Sequence, residues 1–241
     1  MSEKKNALDD IAKVYDVTNK DSEFDFYYKQ HHFEAIKKHL SGSKILELGC
    51  STGLSTKLLS NLDVEITVVE GSKINIQKSK ENFKFKNKVT FIESLWDEFK
   101  SKEKFSDILL VDSLQLISNR NEFLSYYKKF LMDTGVFHII VPNSNSLHRQ
   151  IGKYMGLIKT LNDQSDKDKL VSSNQDLTWE SARRLFQNLD FEVVAEEPIL
   201  LKPLDNKNML KLENDQIDAF FKIAKDFKSI SSHMHFVLKN V

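Results

Sequence analysis

The run ILELGCSTG at residues 45–53 is the feature that most constrains the fold of this chain. Its apolar first half predicts a short buried strand, and Gly49 and Gly53 predict a tight turn before a segment with helical spacing. The next strand, EITVVE, ends on an acid, Glu70. A glycine turn lets backbone N–H groups approach a ligand, and an acid ending the following strand can accept hydrogen bonds from ribose hydroxyls. The pattern therefore predicts a nucleoside-containing cofactor in a doubly wound α/β domain.

Short apolar runs alternate with helical spacing along most of the chain. Strands are predicted at 44–48, 64–70, 88–93, 106–112, 135–141, 191–201 and 232–240. This alternation predicts a Rossmann-like α/β fold, with a mostly parallel seven-stranded sheet and helices on both faces. Ligands in such sheets bind beyond the carboxyl ends of the strands, so the residues at those ends are the first candidates for a site.

Two regions lie outside the regular alternation. Residues 1–42 predict an N-terminal helical cap, with a helix that begins near residue 21, and residues 43–241 predict the core domain. Within the core, residues 143–177 are too long for an ordinary loop and predict a lid, with helical spacing over 146–161. A further helix over 177–189 is predicted to begin with a cap at Thr178.

Composition excludes several classes of function. Lys plus Arg equals Asp plus Glu, so no overall field favours nucleic acid. No apolar run approaches the ~20 residues that cross a bilayer, and the polar N-terminus lacks a signal-peptide pattern. A lone cysteine, Cys50, suits a reducing cytoplasm. We expect a cytoplasmic protein, monomeric or homodimeric, that acts on a small molecule and contacts neither nucleic acid nor membrane.

The cofactor turn also identifies a family. ELGCSTG at residues 47–53 resembles the E-x-G-x-G-x-G signature of class I S-adenosylmethionine-dependent methyltransferases, with Ser51 at the middle glycine. The resemblance continues at Glu70 and through residues 91–99, 105–117 and 141–156. The last of these blocks, together with residues 200–209, resembles a bacterial branch from gene clusters for surface polysaccharides and small-molecule tailoring.

The resemblance implies S-adenosylmethionine as the cofactor and a set of residues around it. Glu47 is expected to orient the loop and the amino group of the cofactor, and Glu70 is expected to bind both ribose hydroxyls. The other expected cofactor residues are Gly49, Ser51 and Gly53 around the methionine end, Glu93 and Leu95 at the adenine, and Asp112 near the methyl group or the loop backbone. Ser51 has a second interpretation, as the N-cap of the following helix.

A hydroxyl acceptor benefits from a base, and His148 in NSLHRQ is the first candidate for that catalytic role. His31, His32, His138, His233 and His235 are weaker candidates, and His138 is expected to be a core residue. Many class I members carry a Glu-His pair after the fourth strand, but this chain has Gln115 and Leu116 there. No acidic or histidine cluster has Mg²⁺ spacing, so no metal site is predicted.

These observations predict an enzyme that transfers the methyl group of S-adenosylmethionine to a hydroxyl, or less favourably an amine, of a small polar acceptor. A sugar-nucleotide or another activated capsule precursor fits the branch resemblance. Two alternatives stay open. GCSTG also fits the G-x-S-x-G nucleophile turn of α/β-hydrolases, with Ser51 as the nucleophile and Asp112 with His233 or His235 as its partners. The other alternative is a methyltransferase-like protein that binds the cofactor without turnover.

Overall fold

The fold is known from a computed structural model that describes residues 3–14, 18, 20, 23–164, 174 and 176–241. Its described strands form one seven-stranded sheet. They are β1 Lys44–Leu48, β2 Glu65–Glu70, β3 Val89–Glu93, β4 Phe105–Val111, β5 Leu131–Pro142, β6 Phe191–Ile199 and β7 His233–Asn240. Their order across the sheet is β3-β2-β1-β4-β5-β7-β6. Strand β7 lies between β5 and β6 and is antiparallel to both, whereas the other pairings are parallel. The predicted Rossmann-like, mostly parallel sheet is confirmed.

Helices cover both faces of this sheet. They are α1 Glu3–Val14, α2 Asp25–Lys37, α3 Leu54–Leu59, α4 Lys73–Asn82, α5 Arg120–Lys128, α6 Leu147–Tyr154, α7 Trp179–Gln187, α8 Asn206–Met209 and α9 Asn214–Ile223. Successive strand side chains point to opposite faces, so each strand contributes to two apolar cores. Leu46 and Leu48 of β1 pack in a core with α5 and α7, while Ile45 packs in the other core with α2, α3 and α9.

Helix α2 belongs to the second core and also forms one side of the site. Phe24, Tyr28, Ala35 and Ile36 are buried in that core. His32 lies on the same stripe, because residues four apart on a helix share a face. The sheet and α2 together therefore fix His32 at the carboxyl edge of the central strands.

Several predicted boundaries differ from the observed ones. Strand β4 ends at Val111, because Asp112 has a left-handed backbone with φ of 53°. Strand β5 begins at Leu131, ahead of the predicted start at residue 135, and pairs with β4 through a register shift. The predicted lid helix is shorter than expected: α6 ends at Tyr154, close to Gly156 with φ of 73°. The rest of the predicted lid includes 165–173 and 175, which lie outside the described residues.

Two predictions about caps have opposite outcomes. Thr178 caps α7 through a reciprocal capping box with Ser181, as predicted. Ser51 is not the N-cap of α3, because Gly53 takes that position. As for the bilayer, no helix among the described residues combines the length and the apolar character needed to span one.

Candidate active site

The turn after β1 has three residues with left-handed backbone angles. Gly49, Ser51 and Gly53 have φ of 85°, 49° and 90°. A β-carbon on Gly53 would lie 2.0 Å from Oγ of Ser79 on α4, so backbone angle and space both demand glycine there. The turn therefore passes close to α4 and leads directly into the first turn of α3.

Glu70, at the end of β2, holds this turn through its carboxylate. Oε2 accepts hydrogen bonds from the backbone N–H groups of Cys50 at 3.1 Å and Ser51 at 3.3 Å, and Oε1 accepts one from Ser72 at 2.9 Å. Burial raises the pKa of Glu70, and these hydrogen bonds oppose that effect. Its first structural task is thus to join the ends of β1 and β2, and its contact with ribose hydroxyls stays a prediction.

Glu47 is a buried carboxylate beside the same turn, with 3% of its surface exposed. Its Oε2 accepts a hydrogen bond of 2.6 Å from the Thr56 hydroxyl. Burial raises the pKa of Glu47 from its usual 4.5 to about 7, although Thr56 and the positive charge of Lys29 oppose the shift. A ligand cation at this position would stabilise the ionised form, because its charge would compensate for the hydration that the carboxylate loses on burial.

The expected adenine residues, Glu93 and Leu95, differ in exposure. Glu93 ends β3 opposite Glu70 and is exposed, whereas Leu95 is buried. Helix α1 covers this end: a β-carbon on Gly71 would lie 2.6 Å from Leu8 and 3.1 Å from Leu95. Asp9 of α1 accepts a hydrogen bond of 2.5 Å from Ser72. Contact of Glu93 and Leu95 with adenine stays a prediction.

Asp112 lies one residue beyond β4, next to the end of β1, with 26% of its side chain exposed. Lys29 of α2 donates a hydrogen bond of 2.8 Å to its Oδ2. Burial is the largest single effect and would raise the pKa of Asp112, but Lys29, His32 and His233 together oppose it and hold that pKa well below its usual range. The positive charge of Lys29 also acts on Glu47, so this lysine connects the two carboxylates electrostatically.

Two histidines flank the Asp112 carboxylate. Nδ1 of His32 lies 3.5 Å from Oδ2, and Nε2 of His233 lies 3.4 Å from Oδ1. Neither contact is aligned as a hydrogen bond: Oδ1, both ring nitrogens of His32 and Nδ1 of His233 are buried without a hydrogen-bond partner. Burial lowers the pKa of His32 to about 3 and that of His233 to about 4. Both imidazoles are therefore neutral at neutral pH.

His148 approaches the same group from α6. Its Nδ1 is buried without a hydrogen-bond partner. Burial lowers its pKa well below the usual 6.5, and the nearby positive charges of Lys202 and Arg149 add to that effect. The fold thus brings His148 and His233 into one electrostatic neighbourhood, although 85 positions separate them along the chain.

Other histidines are part of the core. His138, fully buried on β5, contacts Asp107 at 3.1 Å and His235 at 3.2 Å. Asp107 also accepts hydrogen bonds from the backbone N–H groups of Ser41 at 2.8 Å and Gly42 at 3.1 Å. This network lies near the start of β4, away from the carboxyl edge of the sheet. The expectation that His138 is a core residue is confirmed.

The sequence interpretation missed Lys29 and Lys202, which supply positive charge to the site. A signal for Lys29 was present, because Lys29 and His32 are three apart on one helix. Sequence spacing also predicted no metal site. The fold, however, brings His32, Asp112 and His233 so close that one donor atom from each lies within 4.8 Å of the others.

The family of this chain follows from its match to a known domain. Residues 39–196 match the model of a family described as "Methyltransferase domain". The chain belongs to the S-adenosylmethionine-dependent methyltransferases. Its cofactor is S-adenosylmethionine, and both sequence predictions are confirmed. The matched region includes the glycine turn, Glu70, Asp112 and His148.

This methyltransferase is similar to proteins from several bacteria. It is 24% identical over 136 residues to a ubiquinone biosynthesis O-methyltransferase of Rickettsia akari, covering 52% of this chain and 54% of that protein. A protein of the same name from Rickettsia typhi is 21% identical over 233 residues, with 89% of each chain covered. The chain thus spans about half the length of the first of these curated relatives.

Among solved structures, the methyltransferase resembles the plantazolicin methyltransferase BpumL in complex with SAH, with a TM-score of 0.57 and 16% identity. The alignment covers 89% of this chain and 84% of that one. At this identity the likeness supports the fold. The hydrolase alternative fails on the family match, and among the described residues the Ser51 hydroxyl has no hydrogen bond to a histidine.

Proposed function

We propose that this methyltransferase methylates a hydroxyl group of a small polar acceptor. The observation that carries the proposal is the group of buried neutral histidines, His32, His148 and His233, at the carboxyl edge of the sheet. A hydroxyl must lose its proton as the methyl group arrives, and a neutral imidazole can accept it, whereas an amine needs only to be deprotonated beforehand. The site therefore favours O-methylation over N-methylation.

On the cofactor side, Glu47 is proposed to bind the amino group and Glu70 the ribose. The support for Glu47 is a buried carboxylate whose pKa is raised to about 7 by burial, which makes it a good partner for a cation. Ser51, Gly49 and Gly53 are proposed to form the backbone cradle around the methionine end, since their left-handed angles turn the chain tightly there.

His148 remains our proposed base. It follows β5 on α6, its Nδ1 is buried and has no hydrogen-bond partner, and it is neutral at neutral pH. An imidazole in that state can take a proton from a bound hydroxyl, a contribution of roughly 10²–10⁴ in rate. Its position beyond the end of β5 also suits a residue that meets the acceptor and not the ribose side of the cofactor.

For the acceptor we propose a sugar-nucleotide or another activated capsule precursor, used in the cytoplasm. Lys202, which is buried and acts on His148, gives the region a positive charge that would suit an anionic group. The names of the Rickettsia relatives favour a second candidate, a phenolic hydroxyl of a ubiquinone precursor. Both candidates carry a hydroxyl, so both are compatible with the histidine group.

The test is methyl transfer from S-adenosyl-[methyl-³H]methionine to a panel of nucleotide sugars, catechols and primary amines. We expect labelled product and S-adenosylhomocysteine with a hydroxyl compound, and mass spectrometry should locate the methyl group on oxygen. A product methylated on nitrogen would refute the preference for oxygen. Failure of the folded protein to bind S-adenosylhomocysteine in calorimetry would refute the proposal as a whole.

Ser51→Ala tests the role proposed for Ser51 in the cofactor turn against a role as a nucleophile. We expect methyl transfer to stay within about tenfold of wild type, because the change removes at most one neutral hydrogen bond. Ester hydrolysis that disappears in this variant would instead support a hydrolase. Cofactor binding with no product from any member of the panel would favour the binding-only alternative.

A further inference from the structure

The seven histidines of this chain fall into two groups. Four have partners elsewhere in the fold: His31 contacts Asp218, His39 contacts Glu197, and His138 and His235 contact each other beside Asp107. The other three are His32, His148 and His233. Each has at least one buried ring nitrogen without a hydrogen-bond partner, as does Nδ1 of His235 in the first group. His32 is the extreme case, because its side chain is 1% exposed and both of its nitrogens are unpartnered. A buried polar group without a partner costs free energy, so this histidine calls for an explanation.

The geometry around Asp112 resembles a ligand set more than a hydrogen-bonded network. Nε2 of His233 and Nδ1 of His32 lie 3.4 and 3.5 Å from the two carboxylate oxygens, without hydrogen-bond alignment. Around a tetrahedral ion with bonds of about 2.0–2.1 Å, neighbouring ligand atoms are about 3.4 Å apart. One donor atom from each of the three residues fits within a span of 4.8 Å. The two short separations involve different oxygens of Asp112, and the 4.8 Å span of the three donor atoms is wider than the tetrahedral spacing, so the three side chains would draw together slightly around a single ion.

The Asp112 carboxylate has one oxygen available to an ion. Lys29 donates its hydrogen bond to Oδ2 of Asp112 and leaves Oδ1 without a partner. Ligating carboxylates are themselves held by hydrogen bonds in this way, and such outer contacts orient the ligand. Imidazole ligates a metal through an unprotonated ring nitrogen.

Donor chemistry narrows the choice of metal. Two imidazole nitrogens and one carboxylate oxygen suit Zn²⁺ and its first-row neighbours, whereas Mg²⁺ and Ca²⁺ take oxygen ligands. Three protein ligands leave a fourth position open, as in catalytic zinc sites.

We propose that His32, Asp112 and His233 form a two-histidine, one-carboxylate site for a divalent transition-metal ion of the zinc class. The three ligands come from α2, from the end of β4 and from the start of β7. Three protein ligands leave a fourth position for another ligand, and an acceptor hydroxyl bound there would lose its proton more readily. That effect on the acceptor rests on the proposed function, whereas binding of the metal does not.

The experiment measures metal binding directly, without an acceptor. Full-length protein is stripped with a chelator and titrated with Co²⁺, followed by its visible d–d absorption, and with Zn²⁺ in competition with a chromophoric chelator. The variants are His32→Gln and His233→Gln. The matched control is His39→Gln, which removes a histidine that pairs with Glu197 away from Asp112. Circular dichroism and a thermal melt verify that each variant folds.

We expect wild type and His39→Gln to bind one equivalent, with the intense absorption of low-coordinate Co²⁺. Each ligand variant should lose at least about a hundredfold in affinity, because even outer contacts are worth 10–100-fold. If buried His32→Gln does not fold, His233→Gln decides, since that side chain is 13% exposed. Absence of stoichiometric binding by folded wild type would overturn the proposal, as would equal affinity in wild type and His233→Gln. Calorimetry with S-adenosylhomocysteine on the same samples tests the proposed function separately.

Discussion

Glu47 should make the affinity for S-adenosylhomocysteine depend on pH around neutrality. Burial raises the pKa of this carboxyl to about 7 in the folded protein. A raised pKa means that the folded chain binds this proton more tightly, so the contribution of Glu47 to folding is favourable at low pH and is lost as pH rises through about 7. The cofactor's ammonium, which we propose as the partner of Glu47, has the opposite requirement, because it would pair with the ionised carboxylate. Affinity should therefore be high above pH 7 and should fall below it.

The size of the effect follows from the fraction of ionised Glu47. With a pKa of about 7, that fraction is about 0.9 at pH 8 and about 0.1 at pH 6. If only the ionised form binds the ammonium, the dissociation constant should rise nearly tenfold between these values, about 1.3 kcal/mol. Binding near pH 6.5 should also release a proton, because the ligand lowers the pKa of Glu47.

Isothermal titration calorimetry at pH 6, 7 and 8 measures the dissociation constant, and buffers of different ionisation enthalpy measure the released proton. Glu47→Gln keeps the shape and can still hydrogen-bond the Thr56 hydroxyl, which donates or accepts equally well. This variant should bind more weakly and without the pH slope. Adenosine, which lacks the amino acid part of the cofactor and its α-ammonium group, should show no slope with wild type. The reasoning is refuted if wild type binds S-adenosylhomocysteine equally at pH 6 and pH 8, or if Glu47→Gln keeps the slope.

Three further predictions concern the rest of the site. Gly53→Ala should lose ~2–5 kcal/mol of unfolding free energy in urea, of which left-handed strain contributes ~1–2 kcal/mol and overpacking against Ser79 ~1–3 kcal/mol. Gly156→Ala is the control: its φ is similar and a β-carbon there would have nothing within 4 Å, so it should lose only the strain contribution. Equal losses in the two variants would contradict the argument. Glu70→Ala should weaken S-adenosylhomocysteine binding by about 1.5–3 kcal/mol in calorimetry; unchanged affinity in a folded variant would remove Glu70 from the site. His148→Gln should lower kcat by roughly 10²–10⁴-fold with cofactor affinity nearly intact. The acid limb of the wild-type pH–rate profile should lie below pH 6.5, because burial lowers the pKa of this histidine. An unchanged kcat in the variant would rule out His148 as the base.

Local sequence patterns were sufficient to predict the helices and strands and the turn expected to bind the cofactor. Strand β1 was predicted at its observed bounds, because a short apolar run and a flanking glycine are properties of neighbouring residues. The cap at Thr178 was predicted for the same reason. Errors appeared where distant parts of the chain decide: β4 stops before Asp112, whose left-handed angle places its carboxylate beside Lys29, and β5 extends beyond its predicted start by pairing with β4.

The group of residues that we propose for the acceptor side was decided by the tertiary structure alone. His32, Asp112 and His233 are 80 and 121 positions apart, and no short motif connects them. They meet because α2 packs on the sheet and because β7 enters between β5 and β6. The start of the last strand therefore lies at the carboxyl end of β5, the strand next to β4. Their neutral state also depends on the fold, since burial is what lowers both histidine pKa values. The cofactor and the family could be predicted from the sequence, because the turn motif that indicates them consists of adjacent residues. Which side chains face the acceptor depended on contacts between distant segments, and only folding brings those together.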